Sequence, residues 1–374
     1  MGFGFWSFWL TLGSLPAWAA SSGVGEATAG SVTAVMLAVT VVTQGLIPTL
    51  VARYGLVKVL SAGLLALGAP APLYMFSSEL WWLMCVSAVR GFGFAVLTVS
   101  GSTLTVRIAP PGQRGEALGA YGLAVAVPNL IAVPLGVALT LDGNFAWVAM
   151  LSVAPILGVP LIMRMAPIAA TASDMRSGTK TRRDVISAAG PSLVLFAVTV
   201  AAGGLVTFLP IARPEGLLAA ALLFTFGLTG ALARWGIGIW EDRSGTQALL
   251  PLSILAAATG LGMLAVGLGL DSRPTDLVTL VAGAALFGGG YGAVQNLTLT
   301  RAFTRSTNDN VASSVWNIAF DAGTATGAIA TGAVAFSGVG LSWTFAGFAA
   351  LIALTSVPLL NPGAKGSPES YSRH

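Results

Sequence analysis

The sequence predicts an all-α polytopic membrane protein in which twelve transmembrane helices form two pseudo-symmetric six-helix bundles. Three observations support this fold class. Of the 374 residues, 55% are hydrophobic and only 9% are charged, whereas a soluble domain carries about 25% charged residues. Twelve apolar runs approach the roughly 20 residues that a helix needs to cross a bilayer. Finally, a charged turn in the second half of the chain has a degenerate copy in the first half.

The twelve predicted spans divide the chain into two halves. They cover residues 3–20, 30–51, 57–77, 80–105, 117–141, 144–165, 187–211, 215–238, 247–270, 275–299, 311–337 and 340–361. We therefore expect an N-terminal bundle at 1–165, a cytoplasmic linker at 166–186 and a C-terminal bundle at 187–361. The segment 362–374 is rich in Gly, Pro and Ser, which predicts a disordered cytoplasmic tail.

The basic residues predict how the chain is oriented. Fourteen of the 18 lie on one face of the predicted topology, two lie inside helices, and only Arg213 and Arg273 lie on the other face. Basic residues concentrate on the cytoplasmic side of membrane proteins. We therefore expect a multi-pass protein of the cell inner membrane, with both termini cytoplasmic and the linker lying on anionic lipid headgroups.

The composition also limits the chemistry. There is one cysteine, and the one histidine, His374, is the last residue, which excludes an intramolecular disulfide and a histidine metal cluster. No phosphate-binding Gly-x-x-x-x-Gly-Lys-Ser/Thr loop is present, nor any nucleophile with a plausible base. We therefore predict a monomer that is not an enzyme, needs no metal or cofactor, binds no nucleic acid and draws energy from an ion gradient.

The charged turn is residues 238–245, GIWEDRSG, and its weaker copy is residues 48–55, PTLVARYG. Aligning the last glycines sets Arg53 against Arg243, and Ala52 against Asp242. Asp242 directly follows a predicted helix, where the helix dipole disfavours an anion. We therefore expect a helix N-terminus or an arginine from elsewhere to compensate its charge.

These residues resemble the major facilitator superfamily of secondary transporters, whose signature is a Gly-x-x-x-Asp-Arg-x-Gly loop. The second copy is intact at Gly238, Asp242, Arg243 and Gly245. The first copy retains Arg53 and Gly55 but has Pro48 and Ala52 where Gly and Asp would stand. The arginine of the family's fourth helix has a counterpart in Arg90. In the fifth helix, Pro128, Pro134 and Gly136 look like a degenerate form of a motif found in the family's exporters.

The resemblance implies secondary active transport by alternating access, with a substrate site between the halves. It also implies that Asp242 acts as a conformational latch that stabilises the outward-facing state. The lost acid at Ala52 leaves the first latch weak or absent. We favour proton-coupled efflux of a small drug or metabolite, as in bacterial exporters. A proton-coupled uptake symporter of a small organic solute is the alternative, and a transport-inactive receptor or scaffold is a more remote one.

Three charged residues fall inside predicted spans, where a charge costs about 2.5–3.5 kcal/mol on insertion scales. Arg234 and Asp321 lie at similar depths in the second half, so we predict that they pair. The pair is either a structural salt bridge or a coupling site at which Asp321 takes up and releases a proton. Arg90 either positions helices, through backbone carbonyls, Asn129 or Gln44, or faces the cavity as a proton-coupling or anion-attracting group.

Uncharged polar residues inside the spans complete the candidate substrate cavity. We assign to it, together with Arg90, the following side chains: Gln44, Asn129, Gln295, Asn296, Trp316 and Asn317. Each polar side chain could equally form a hydrogen bond between helices, worth on average about 0.6 kcal/mol in membranes.

Overall fold

The computed structural model describes residues 1–12, 14–22, 26–165, 167, 181–212, 216–245, 248–269, 274–334 and 339–356. The first half of the chain forms α1 (Gly2–Leu12), α2 (Ser14–Ser21), α3 (Glu26–Gln44), α4 (Ile47–Tyr54), α5 (Leu56–Gly68), a 3₁₀ helix (Ala71–Phe76), α6 (Leu80–Ile108), α7 (Arg114–Leu141), α8 (Phe145–Leu151) and α9 (Pro155–Arg164). The second half forms α10 (Arg182–Ala212), α11 (Gly216–Ser244), α12 (Leu249–Gly269), α13 (Pro274–Arg305), α14 (Asp309–Val334) and α15 (Leu341–Leu354).

Each predicted span coincides with one helix or with two consecutive helical segments. Among the described residues, eight segments are long and apolar enough to cross a membrane, and α3 with α4 makes a ninth if this bent pair is one span. The axis bends by 58° between them, where Pro48 stands in the first turn of α4 and supplies no N–H to continue the helix. No strand occurs in the described ranges. The predicted all-α polytopic fold is therefore confirmed.

The predicted linker and tail lie largely outside the described residues. Of the linker, 166–186, the described part shows α10 already beginning at Arg182, so its last residues belong to the helix. The tail at 362–374 is wholly outside, and the domain boundaries remain a prediction.

The two charged turns have the same backbone shape. Gly55 ends α4 with φ +84°, and Gly245 follows α11 with φ +58°. Each glycine N–H also donates to the carbonyl four residues earlier, Val51 in one turn and Glu241 in the other. A positive φ strongly favours glycine. The first turn has therefore lost its acid while keeping the glycine that this geometry requires.

Apolar cores form within each half and also between the halves. Leu64 and Leu97 belong to a core of the first half, and Leu261 and Phe287 to the core of the second. A further cluster joins Val106 and Leu118 of the first half to side chains of the second, among them Phe303 and Trp316. Large apolar side chains also remain exposed on the outside, including Phe76 and Trp343, as a lipid-facing surface requires.

The halves meet at one end of the bundle. There α7 packs against α11, while α3 and α6 pack against α14. This end carries both charged turns and the loops that precede α7 and α14, and we call it the latch end. The contact of α7 with α11 corresponds to the contact of α3 with α14, as the pseudo-symmetry of the two halves predicts.

Candidate functional site

Asp242 joins the two halves through the N-terminus of α7. Its carboxylate oxygens accept hydrogen bonds from the backbone N–H groups of Gly115 at 3.0 Å and Glu116 at 2.8 Å. The first N–H groups of a helix have no partner within that helix, and the dipole there favours an anion. The helix N-terminus therefore supplies the compensation that the position of Asp242 demands.

Glycines let α7 and α11 approach closely beside this contact. A Cβ atom on Gly115 would lie 2.6 Å from the carbonyl oxygen of Gly238, and one on Gly119 would lie 2.9 Å from the Cα of Trp235. Asn296, fully buried on α13, donates to the carbonyls of both Gly115 and Arg234. Asn296, which we predicted in the cavity, thus lies in this seam between the halves.

The first charged turn makes no such contact through its own side chains. Ala52 and Arg53 are exposed, and the Arg53 guanidinium carbon lies 5.3 Å from the ring centroid of Tyr54. Arg243, its counterpart in the second turn, is exposed as well.

An ion pair links the halves on this side instead. Arg107, near the end of α6, lies with its Nε 3.6 Å from Oδ2 of Asp309, the first residue of α14. Both side chains are only 3% exposed. The acid therefore stands on the helix N-terminus rather than in the facing turn. Sequence reasoning missed this pair because Arg107 was counted only among the fourteen basic residues on one face of the predicted topology.

Polar caps hold the start of α14 in place. The Asn308 side-chain oxygen accepts from the N–H groups of Asn310 and Val311, which is the pattern of an N-cap. Asp184, near the start of α10, accepts from the N–H and hydroxyl of Thr307. Asp309 is thus fixed within a hydrogen-bonded loop of its own half. An Asn directly before an Asp and an apolar run was the signal available in the sequence.

Asp321 and Gln44 join the halves deeper in the bundle. Asp321 lies about 18 Å along α14 from its start, at 1.5 Å per residue, and is half-buried. Its Oδ2 accepts a 2.7 Å hydrogen bond from Nε2 of Gln44 on α3. Gln44 is fully buried, and its Nε2 also lies 3.5 Å from the Thr98 hydroxyl.

Arg234 does not form the predicted ion pair with Asp321. It donates to Oε1 of Gln295 at 2.8 Å, and its guanidinium carbon lies 5.8 Å from the ring centroid of Trp316. It also fills the space beside Gly122 of α7. The two charges are at similar depths, but Arg234 faces α7 and α13 whereas Asp321 faces α3. The ion pair between the halves that is described above joins Arg107 and Asp309 instead.

Arg90 joins two helices of the first half. It is fully buried, and its Nη2 donates to the carbonyl and hydroxyl of Ser7 and to the hydroxyl of Thr11 on α1. Its guanidinium carbon lies 5.4 Å from the ring centroid of Tyr74. Of the partners we considered, a backbone carbonyl is present, whereas Asn129 and Gln44 are not bonded to it.

The remaining candidates have partners within the second half or are half-buried. Trp316 is buried and donates to the Thr298 hydroxyl on α13. Asn317 donates to the carbonyl of Ser313, one turn earlier in its own helix. Asn129 is half-buried on α7. In the part of the chain that is described, no group of three His, Cys, Asp or Glu side chains could hold a metal ion.

Two helical halves that meet at one end, with ionisable side chains buried at depth, define a membrane transporter architecture. The sequence model of the Major Facilitator Superfamily matches residues 1–312. The chain therefore belongs to that superfamily and is a secondary transporter. No match to the sequence is found among curated proteins.

Solved transporter structures share the fold at low sequence identity. The human organic anion transporter MFSD10 (TETRAN) has a TM-score of 0.68 at 16% identity, with 96% of each chain covered. The fucose:proton symporter FucP in its outward conformation gives 0.66 at 14% identity, again with 96% of each chain covered. The proton:xylose symporter XylE gives 0.66 at 12% identity, covering 96% of this chain and 93% of that one.

Proposed function

We propose that this transporter couples the movement of a small organic molecule to protons, and that Asp321 is the proton site. The observation that carries the proposal is the Asp321 carboxyl, half-buried at depth and bonded across the halves to the neutral amide of Gln44. A carboxylate in this position has a high cost in the membrane unless it is paired or protonated.

The partners of Asp321 favour a titrating role over a structural one. A purely structural acid at this depth would be expected to sit against a cation. The cation that we predicted to pair with it, Arg234, is instead bonded to Gln295. An amide can bond to either a carboxylate or a carboxylic acid, so Asp321 can change its protonation state and keep the same partner.

We further propose that the structure corresponds to a state closed at the cytoplasmic face of the inner membrane. The latch end is the cytoplasmic end under the orientation that the basic residues predict. Asp242 on the α7 N-terminus and Arg107 with Asp309 then hold this face shut. Opening requires both contacts to break, which supports alternating access by a single chain working as a monomer.

Export is the direction we propose, on the basis of the exporter-like residues of the fifth span. Pro128 and Pro134 both lie inside α7. Gly136 is pressed against the Leu10 carbonyl of α1, where a Cβ has no room. Uptake by symport is the second candidate, because FucP and XylE are named proton symporters and share the fold.

Transport into and out of proteoliposomes tests the coupling and its direction. Wild-type protein is screened with a panel of metabolites and drugs under imposed pH gradients of either sign. Export against protons predicts that substrate moves towards the acidic compartment, whereas symport predicts movement away from it. A panel in which compounds raise the melting temperature but none is transported would favour the receptor alternative.

The Asp321→Asn variant tests the proton site with the compounds that are transported. We expect gradient-driven transport to be lost while substrate counterflow is retained, because only the proton step is removed. Asp142→Asn is the matched control, since Asp142 is exposed at the end of α7 and should behave as wild type. Gradient-driven transport that survives in Asp321→Asn would refute the assignment.

A further inference from the structure

We propose that Gln44 is a positioning residue through which the first half of the chain responds to the protonation state of Asp321. In the structure its amide holds the carboxylate and so ties α3 to α14. Burial makes the carboxylate form costly in the closed state, and this bond offsets part of that cost, so Gln44 limits how far the latch end opens when Asp321 loses its proton. The inference rests on the proposed proton site and adds its partner and its mechanical consequence.

The hydrogen bond itself is short and directional. Nε2 of Gln44 donates to Oδ2 of Asp321 at 2.7 Å, within the range of a charge-assisted bond. A carboxylate can only accept, so the NH₂ end of the amide must face it. The bond spans the halves, since Gln44 is the last residue of α3 and Asp321 lies in α14.

The bond to Asp321 is the main polar contact of the Gln44 side chain. The side chain is fully buried, yet its Oε1 has no hydrogen-bond partner. The contact of Nε2 with the Thr98 hydroxyl is long, at 3.5 Å. Burying an unsatisfied carbonyl opposes stability, so packing within the first half alone does not explain a glutamine here. Asp321 explains the glutamine, because its carboxylate accepts a hydrogen bond from the amide NH₂ group of Gln44.

Other charged groups on the neighbouring helices are engaged elsewhere or lie far along the helix. On α13, Tyr291 is within electrostatic range of both Asp321 and Arg234 of α11. On α6, Arg90 bonds to α1 and Arg107 pairs with Asp309. α15 carries no charged residue. The charged residues of α10 and the titratable residues of α4 lie at the helix ends nearest the latch end. They are Arg182, Arg183 and Asp184 in α10, and Arg53 and Tyr54 in α4.

The consequence for the conformational equilibrium follows from the strength of the bond. A hydrogen bond to a charged acceptor is worth more than a neutral one by about 1–1.5 kcal/mol. Because the bond does not exist once the halves separate, Gln44 stabilises the closed state by this extra amount only while Asp321 is a carboxylate. Burial of the carboxylate opposes the closed state, so the ratio of open to closed molecules at the latch end should rise from low to high pH, and without Gln44 that rise should be about tenfold larger.

Distances between spin labels measure this ratio without a substrate. The labels are placed at Gln113→Cys, before α7, and at Thr304→Cys, near the end of α13, both exposed positions. The background is Cys85→Ser, which removes the one native cysteine. Double electron–electron resonance on proteoliposomes is recorded from pH 5 to 9. Wild type is expected to show a higher ratio of open to closed molecules at pH 9 than at pH 5.

Four variants of this reporter protein test the inference. Gln44→Met should enlarge the pH response about tenfold, and Asp321→Asn should remove it. Gln44→Glu should enlarge the response further, because two adjacent carboxyls repel at high pH and share a proton at low pH. Thr40→Val is the matched control, since Thr40 bonds α3 to the Gly91 carbonyl of α6 but does not reach α14. It should keep the wild-type response.

The outcomes separate the two proposals. A pH response that persists in Asp321→Asn, or is missing in wild type, overturns the proton site and with it the role of Gln44. Loss of the response in Asp321→Asn with a normal response in Gln44→Met overturns the role of Gln44 alone. If Gln44→Met fails to fold, Gln44→Glu decides, and a response no larger than that of wild type contradicts the inference.

Discussion

Neutralising Asp242 should shift the protein towards opening at the latch end. In Asp242→Asn, one oxygen still accepts from the start of α7, but the charge and the second acceptor are lost. The two bonds, at 3.0 and 2.8 Å, are each of a kind worth about 1.5–3 kcal/mol when buried. The interaction with the helix dipole adds about 0.3–1 kcal/mol.

Asp242 is only half-buried, so the lower end of these values applies. We expect a net loss of about 1.5–2 kcal/mol from the closed state, because the asparagine keeps part of one bond. This corresponds to a rise of about 10- to 30-fold in the ratio of open to closed molecules. Transport should slow while expression stays normal, because the contact lies between the halves rather than within one.

Thiol labelling measures this shift at constant pH. Ser102 is 1% exposed and its hydroxyl lies 2.6 Å from that of Ser313 across the halves, so Ser102→Cys reacts with a maleimide only when the latch end opens. In a Cys85→Ser background, the labelling rate should rise by the same 10- to 30-fold factor. Asp142→Asn is the control, because this acid is exposed at the opposite end of α7 from the Asp242 contact. A rate within twofold of the parent in Asp242→Asn would refute the latch.

Three further predictions address the surroundings of the site. Gly238→Ala should disrupt the contact between α7 and α11, because the new Cβ would collide with the Gly115 carbonyl. Gly236→Ala is the control and should have no such effect, because there is open space around Gly236. The same thiol-labelling assay compares the two variants. Arg90→Met should lower the melting temperature, through loss of the bonds to α1, without changing the substrate affinity of the folded protein; a weakened affinity would instead restore a cavity role. Asp309→Asn should cost about 3–5 kcal/mol of latch stability by removing one member of a buried ion pair. The double variant with Arg107→Met should recover part of that loss, and purely additive effects would contradict a buried pair.

The bilayer explains why so much of the fold could be predicted. Spanning helices are set by the length of an apolar run, and no knowledge of their neighbours is needed. The bend at Pro48 and the glycine turns at Gly55 and Gly245 are likewise local. The glycines of α7 at positions 115, 119 and 122 carried a further signal, because small residues spaced three and four apart form close helix contacts.

Depth could be predicted from the sequence, but rotation about the helix axis could not. Counting residues placed Arg234 and Asp321 at the same level, which led to the wrong pair. Helices that are apolar on all sides give no periodic pattern to show which face meets which neighbour. The partners of both residues, Gln295 and Gln44, belong to helices whose adjacency is set only by tertiary packing.

The degenerate turn shows how the missing acid at Ala52 is replaced. On one side of the latch end, the acid Asp242 stands in the turn and bonds to the bare N-terminus of α7. On the other side, Asp309 is itself the first residue of α14 and draws its cation, Arg107, from α6. Each arrangement satisfies a helix N-terminus with an anion. The second, however, buries a full ion pair, so the two halves of the latch should respond differently to salt: the half-buried Asp242 contact is the more easily screened.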